Sequence, residues 1–209
     1  EKRKFAVVKV GGALLRDELD ELANSLTFLQ RVGLYPIVIQ GAGPQLNAAL
    51  EEEGIESRRV DGLRVTDPAT LEVARRVFLE LNLTLVDALE NMGTRARPIT
   101  SGVFTASLLD KEQLGFVGEV TAVSLDPLGK AIRAGCLPIL TCLGETPTGQ
   151  IVNINADTAA RELAIAIEPH KIVFLTGTGG LLDEHGQIMS SINLTEDFDD
   201  LMNEEWVHS

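Results

Sequence analysis

The stretch Phe5-Ala-Val-Val-Lys-Val-Gly-Gly12 decides the reading of the chain: it sets one lysine inside an apolar, β-branched run and ends that run on paired glycines. A run of this length and composition predicts a buried strand. Burying an ammonium without a partner is costly. Lys9 therefore either snorkels to water from an edge strand before an ordinary turn, or meets negative charge where the strand ends. In an open α/β sheet, ligands bind beyond the carboxyl ends of the strands, and glycine there lets backbone N–H groups approach phosphate oxygens. Gly11 and Gly12 stand at that position.

The next strand repeats the pattern in Tyr35-Pro-Ile-Val-Ile-Gln-Gly-Ala-Gly-Pro-Gln45. Pro44 is preorganised for a first helical turn, so the Gly41-Ala42-Gly43 turn exposes orphan N–H donors at a positive helix end, suited to carboxylate or phosphate. It is not the dinucleotide fingerprint, because Gly41 and Gly43 are followed by Leu46 where a third glycine would be needed. No G-x-x-x-x-G-K-[ST] loop occurs anywhere in the chain. Two glycine-ended strands in succession, each feeding a helix, suit two anionic groups side by side: a phosphate donor and an acidic acceptor.

Outward from these turns, short β-branched runs alternate with longer amphipathic segments, the rhythm of a parallel sheet flanked by helices. Helices are predicted over 18–32, 45–53, 68–92 and 125–134, and another following Asp157. The first of these carries Leu19, Leu22, Ala23, Leu26 and Leu29 on one stripe. Further strands are expected over 96–100, 137–140 and 171–175, with Gly135 as a helix C-cap. Segments 115–123 and 143–154 read as peripheral hairpins. The fold class is α/β, and residues 1–209 read as one domain without repeats or linkers.

Acidic side chains outnumber basic ones, 31 against 18, for a net charge of −13. That field repels a nucleic-acid backbone, so no nucleic-acid partner is expected; a small anion can bind only where cations and N–H groups converge locally. No apolar run approaches the roughly 18 to 20 residues of a membrane span, and no membrane partner is expected. The chain opens on Glu-Lys-Arg-Lys rather than on Met, so a fragment or trimmed product is expected and any targeting signal is unreadable. Cys136 and Cys142 read as buried thiols in a reducing compartment. His170, His185 and His208 lack metal-ligand spacing, so no metal site is expected.

Three further segments carry polar groups. Val60-Asp-Gly-Leu-Arg-Val-Thr66 is a predicted hairpin whose Arg64 either forks onto a carboxylate or sits in a surface turn. In Val152-Asn-Ile-Asn-Ala-Asp-Thr158, Asn155 or Asp157 caps a helix, which leaves the others, Asn153 included, free to bind something. Leu175-Thr-Gly-Thr-Gly-Gly180 follows a buried strand, either as a nucleotide-facing loop or as an ordinary glycine-rich one.

Taken together and in order, Lys9 to Gly12, Gly41 to Gly43, Asp61 to Thr66 and Asn153 to Asp157 resemble the K-[LV]-G-G, H-G-x-G, [ND]-G-[LIM]-R-[VIT]-T and N-[VI]-N-A-D motifs of the N-acetylglutamate kinases, within the amino acid kinase family. The resemblance implies a three-layer αβα sandwich and ATP-dependent phosphorylation of the side-chain carboxylate of N-acetyl-L-glutamate, a step of arginine biosynthesis. By the same resemblance Lys9 contacts the transferring phosphoryl group and Asp157 organises the catalytic lysines. Gly11, Gly12 and the loop Thr176, Gly177, Thr178 and Gly179 approach ATP, which brings Mg²⁺. The backbone of Gly41, Ala42 and Gly43, with Arg64 and Asn153, holds acetylglutamate. Stretches such as Leu71 to Phe78, Arg97 to Phe104 and Ile132 to Ile139 look most like the fungal mitochondrial kinases and the bifunctional bacterial synthase/kinases. That branch implies a homo-oligomer, a possible arginine effector, a mitochondrial matrix location in a fungus or a cytoplasmic one otherwise, and an acetyltransferase-like domain absent from this chain. Two departures stand out: Gln40 replaces the motif's His, and the family's second phosphate-neutralising lysine falls past Trp206 to Ser209, so the chain as given is expected to bind substrates yet catalyse poorly. The alternative reading is a regulatory, arginine-sensing kinase-like domain of an N-acetylglutamate synthase.

Overall fold

A computed structural model describes residues 5–192 together with residues 196 and 202; His208 and the stretch from Trp206 to Ser209 lie outside the described residues. Its organising layer is a five-stranded parallel sheet. The strands, in chain order, are β1 (Phe5–Val10), β2 (Tyr35–Gln40), β5 (Ala96–Ile99), β8 (Leu137–Leu140) and β11 (Lys171–Leu175). Their spatial order is β11-β1-β2-β8-β5, so β1 is an interior strand and Lys9 lies between Phe174 and Ile39 in register. The edge-strand reading of Lys9 is thereby excluded.

Alternation along β1 and β2 divides the core in two. Val7, Ile37 and Ile39 face one cluster, with side chains from α3 (Gly43–Glu52), α5 (Asp126–Arg133) and α6 (Ala156–Ile167). Val8, Val10 and Val38 face the other, built from α1 (Gly12–Asp17) and α2 (Leu19–Arg31). The long helix α4 (Pro68–Asn91) serves both: Val73, Ala74, Val77 and Phe78 enter the first cluster, Leu85, Val86 and Leu89 the second. Asp67 caps its start by accepting the Thr70 N–H at 2.7 Å, and this hydrogen bond holds the Asp67 carboxyl below its ordinary range. Gly135, at φ +74°, follows α5 as the predicted C-cap.

The peripheral strands depart from expectation. Segment 143–154 is a hairpin, β9 (Leu143–Glu145) paired with β10 (Ile151–Ile154). Segment 115–123 is not one: it supplies the single strand β7 (Val117–Val123), which pairs antiparallel with β6 (Phe104–Leu108) and parallel with β10. A Thr105–Glu145 pairing of β6 with β9 closes the four strands into a small barrel. Closure demands small residues inside. A Cβ on Gly118 would lie 2.5 Å from Val152 Cγ2 and 3.2 Å from the Ala106 Cβ; one on Gly144 would lie 2.5 Å from Ile154 Cδ1. The remaining pair, β3 (Arg59–Val60) and β4 (Leu63–Arg64), turns through Asp61 and Gly62 with φ of 49° and 77°, the positive-φ geometry that Asp-Gly favours. Among the described residues no helix is long and apolar enough to cross a membrane.

Gly118→Ala tests the barrel. Overpacking of this kind costs about 1–3 kcal/mol, so the urea midpoint should fall at unchanged m-value; an unchanged midpoint would mean that the barrel wall yields to a methyl group.

Candidate functional site

The carboxyl ends of β1 and β2 open into a cleft of about 330 Å³ lined by Lys9, Gly11, Gly12, Gly41, Ala42, Gly43, Arg64, Asn153, Asp157 and neighbouring residues. Lys9 projects from the sheet with 13% of its side chain exposed, and its Nζ lies 2.9 Å from Asp157 Oδ1. The carboxylate is 60% exposed, so the pair spans the boundary between core and solvent. Asn155, not Asp157, caps α6: its Oδ1 accepts from the N–H groups of Asp157 at 2.9 Å and Thr158 at 3.1 Å. The Asp157 carboxylate is thus free to reach Lys9 from the first turn of the helix.

Sheet and turns share their backbone donors unevenly. The Gly11 N–H donates to the Leu175 carbonyl at 3.0 Å and the Gly41 N–H to that of Val10 at 2.8 Å, tying β11, β1 and β2 together at their ends. Neither amide is then left for a ligand; the open donors belong to the starts of α1 and α3, neither of which has a side-chain cap. Gly12 is pinned between the two turns. Gln45 Nε2 donates to its carbonyl at 2.6 Å, and a Cβ at this position would fall 2.4 Å from Gln45 Oε1 and 3.2 Å from the Gly41 carbonyl oxygen. Thr176, Gly177, Thr178 and Gly179 lie apart from the cleft lining, but they continue β11, whose Leu175 is in register with Val10. Their hydroxyls are turned on one another and on the Gly180 carbonyl.

At the other end of the cleft stands Arg64, only 7% exposed. Its guanidinium donates to Ser57 Oγ and Asn47 Oδ1, and more distantly, at 3.5 Å, to the Gly43 carbonyl. Burial pulls its pKa down, and neighbouring Arg59 pulls in the same direction. Asn153 Nδ2 donates to Thr66 Oγ1 at 3.2 Å, and that hydroxyl donates to the Arg64 carbonyl at 2.9 Å. Thr66 is further held by backbone hydrogen bonds to Leu114 and Phe116, which lead into β7. Asn47, Ser57, Gln45 and Thr66 were not marked by sequence reasoning. Asn47 and Gln45 follow the Gly41–Gly43 turn on α3, where a polar residue on the first helical turns is the available signal; Ser57 carries none.

Gln40 is fully buried and is not part of the cleft lining; it donates at 3.2 Å to the carbonyl of Phe78, which is. Cys142 does border the cleft; its Sγ donates to the Gln40 carbonyl at 3.2 Å, and burial pushes its pKa up to about 12. Both cysteines are free and buried. Among the described residues, no group of three or more His, Cys, Asp or Glu side chains converges as a metal-ligand set.

Comparison with known proteins gives a consistent picture. An acetylglutamate kinase of Xanthomonas campestris pv. campestris is 55% identical over 208 residues, covering 100% of this chain and 49% of that protein. The mitochondrial protein arg11 of Schizosaccharomyces pombe is 54% identical, over 99% of this chain and 24% of its own length. This chain therefore spans about half of the bacterial relative and a quarter of the yeast one. Among solved structures, smu.665 from Streptococcus mutans superposes with a TM-score of 0.88 at 24% identity, covering 100% of this chain and 87% of that one, a likeness of fold. The sequence pattern of the amino acid kinase family matches residues 4–207, and the chain belongs to that family.

Proposed function

We propose that this chain carries the phosphoryl-transfer site of an enzyme that phosphorylates the side-chain carboxylate of N-acetyl-L-glutamate with ATP. The observation that carries the reading is the presence, in one cleft, of the Lys9–Asp157 pair at one end and Arg64 with Asn153 at the other. A bacterial relative more than half identical is named for this activity, which supports the same assignment. The mitochondrial names of the fungal relatives support a matrix location if the source is a fungus, and the bacterial relatives a cytoplasmic one otherwise.

The chemistry asks little of the protein. A carboxylate acceptor is already ionised near neutral pH, so no general base is required, and catalysis reduces to positioning and to neutralising charge on the transferring group. Lys9 supplies that charge from a strand held on both sides. Asp157 acts on it as a positioning residue, holding the ammonium at the cleft end of the sheet. The uncapped starts of α1 and α3 offer N–H donors at the positive ends of their helices, one towards ATP phosphate and the other towards the acceptor. Gly12 brings the two turns close enough for donor and acceptor to meet. Mg²⁺ would come with ATP and would supply charge neutralisation on the phosphates; among the described residues Asp157 is the one carboxylate in the cleft lining that could help hold it. Arg64 and Asn153 hold the acetylglutamate, with Asn47 and Ser57 orienting the guanidinium.

Lys9→Met, made in the full-length protein, should lower turnover by about 100- to 1000-fold, the usual loss when a stabiliser of developing charge is removed. Acetylglutamate affinity should change much less. Unchanged turnover with a raised KM for acetylglutamate would move Lys9 to the substrate-binding group. Loss of ATP binding by the unaltered protein in a calorimetric titration would instead favour a regulatory module without catalysis.

Arg64→Lys should weaken acetylglutamate by about tenfold to a hundredfold, because an ammonium cannot reproduce the planar fork that meets Asn47 and Ser57 while still facing a carboxylate. ATP binding should be spared. Equal weakening of both ligands would make Arg64 a support of the fold.

A further inference from the structure

The β3–β4 hairpin places a second cation at the acceptor end of the cleft. Arg59 and Arg64 are directly opposed in the antiparallel register, and opposed residues on a two-stranded ribbon project to the same face. Arg64 is buried against the cleft, and Arg59 lines the same cleft with a more exposed side chain. Like charges directly opposite on a ladder are unfavourable, and Arg59 is one of the two causes that lower the pKa of Arg64. Relief is absent nearby. None of the ion pairs among the described residues involves either arginine, and the polar partners of both are neutral: Asn47, Ser57 and the Gly43 carbonyl for Arg64, the Gly62 carbonyl for Arg59.

The remaining charge in the cleft is already balanced. Among the described residues Asp157 is the one carboxylate in the lining, and it is taken by Lys9. Two uncompensated cations thus face one end of a cleft in a protein of net charge −13. Such a concentration of positive charge against the global field is stable when an anion shares it.

We propose that Arg59 is a second specificity residue for the acceptor, meeting the carboxylate that is not phosphorylated, and that the Arg59–Arg64 pair selects dianionic over monoanionic acceptors. This rests on the functional reading above. The Asp61–Gly62 turn fixes the pairing, since two turn residues set Val60 opposite Leu63 and Arg59 opposite Arg64. The chemistry recognised is a carboxylate on a short acidic substrate, approached from the solvent side by Arg59 and from the protein side by Arg64.

The test is calorimetric titration of the full-length protein and its Arg59→Gln variant with N-acetylglutamate, with the analogue whose α-carboxylate is an amide, and with ATP. The variant should bind acetylglutamate about tenfold more weakly at low salt, with a smaller difference at high salt. It should bind the α-amide analogue as well as the unaltered protein does, leave ATP affinity unchanged, and melt no lower, because the opposed charges are relieved. Equal acetylglutamate affinity in the two proteins overturns this role for Arg59 while leaving the kinase reading intact. An equal loss with the α-amide analogue, or a parallel loss of ATP affinity and melting temperature, also overturns it. Failure of the unaltered protein to bind acetylglutamate would remove both this assignment and the functional reading beneath it.

Discussion

A lysine inside an interior strand has to be answered, and in this chain the answer comes from a helix distant in sequence. Lys9 sits between β11 and β2, in register with Phe174 and Ile39, and its side chain is only 13% exposed. Asp157 reaches it from the first turn of α6. For that contact to form, α6 must begin above the carboxyl edge of the sheet, β10 must deliver it there, and the small barrel must hold β10. Much of the architecture on this side of the sheet follows from where one ammonium can be neutralised. Breaking such a pair by removing a single partner leaves the other charge partly buried, which is why it constrains the fold even though its net contribution to stability is modest.

The same pair sets the electrostatic character of the cleft. Lys9 and Asp157 cancel one another, so this part of the cleft is not strongly positive. The unbalanced charge lies on the hairpin side with Arg59 and Arg64. The geometry therefore separates a neutralised pair, Lys9 with Asp157, from an electropositive rim on the hairpin; on the function proposed above, that suits an order of recognition in which the acceptor is chosen by charge and the donor by backbone shape.

What could be read from the sequence was whatever is encoded locally. The glycine ends of β1 and β2, the Asp-Gly turn and the periodic stripe of α2 each declare themselves within a dozen residues or so, and each occurs where it was expected. The barrel was only half legible. The β9–β10 hairpin is local, but closure depends on a parallel β10–β7 pairing and on the single Thr105–Glu145 contact, and the small residues Ala106, Gly118 and Gly144 acquire meaning only once the strands surround them. Asp157 and Asn155 could not be told apart as caps, since both stand at a helix start; the difference lies in which side chain has a distant partner. Asn47 and Ser57 were invisible for a related reason, because they act through Arg64, 17 and 7 residues away. Arg59 was in principle legible: a two-residue turn dictates its partner.

The long helix α4 touches both hydrophobic clusters, its first half on one side of the sheet's edge and its second half on the other. At about 1.5 Å per residue it is a rod on the order of 35 Å long. A rod shared by two cores denies them independence. Neither half-core can loosen without dragging on the helix that completes the other, so the two faces of the sheet should unfold as a single cooperative unit, and slow amide exchange should extend along the buried stripe of α4 rather than stop at its midpoint.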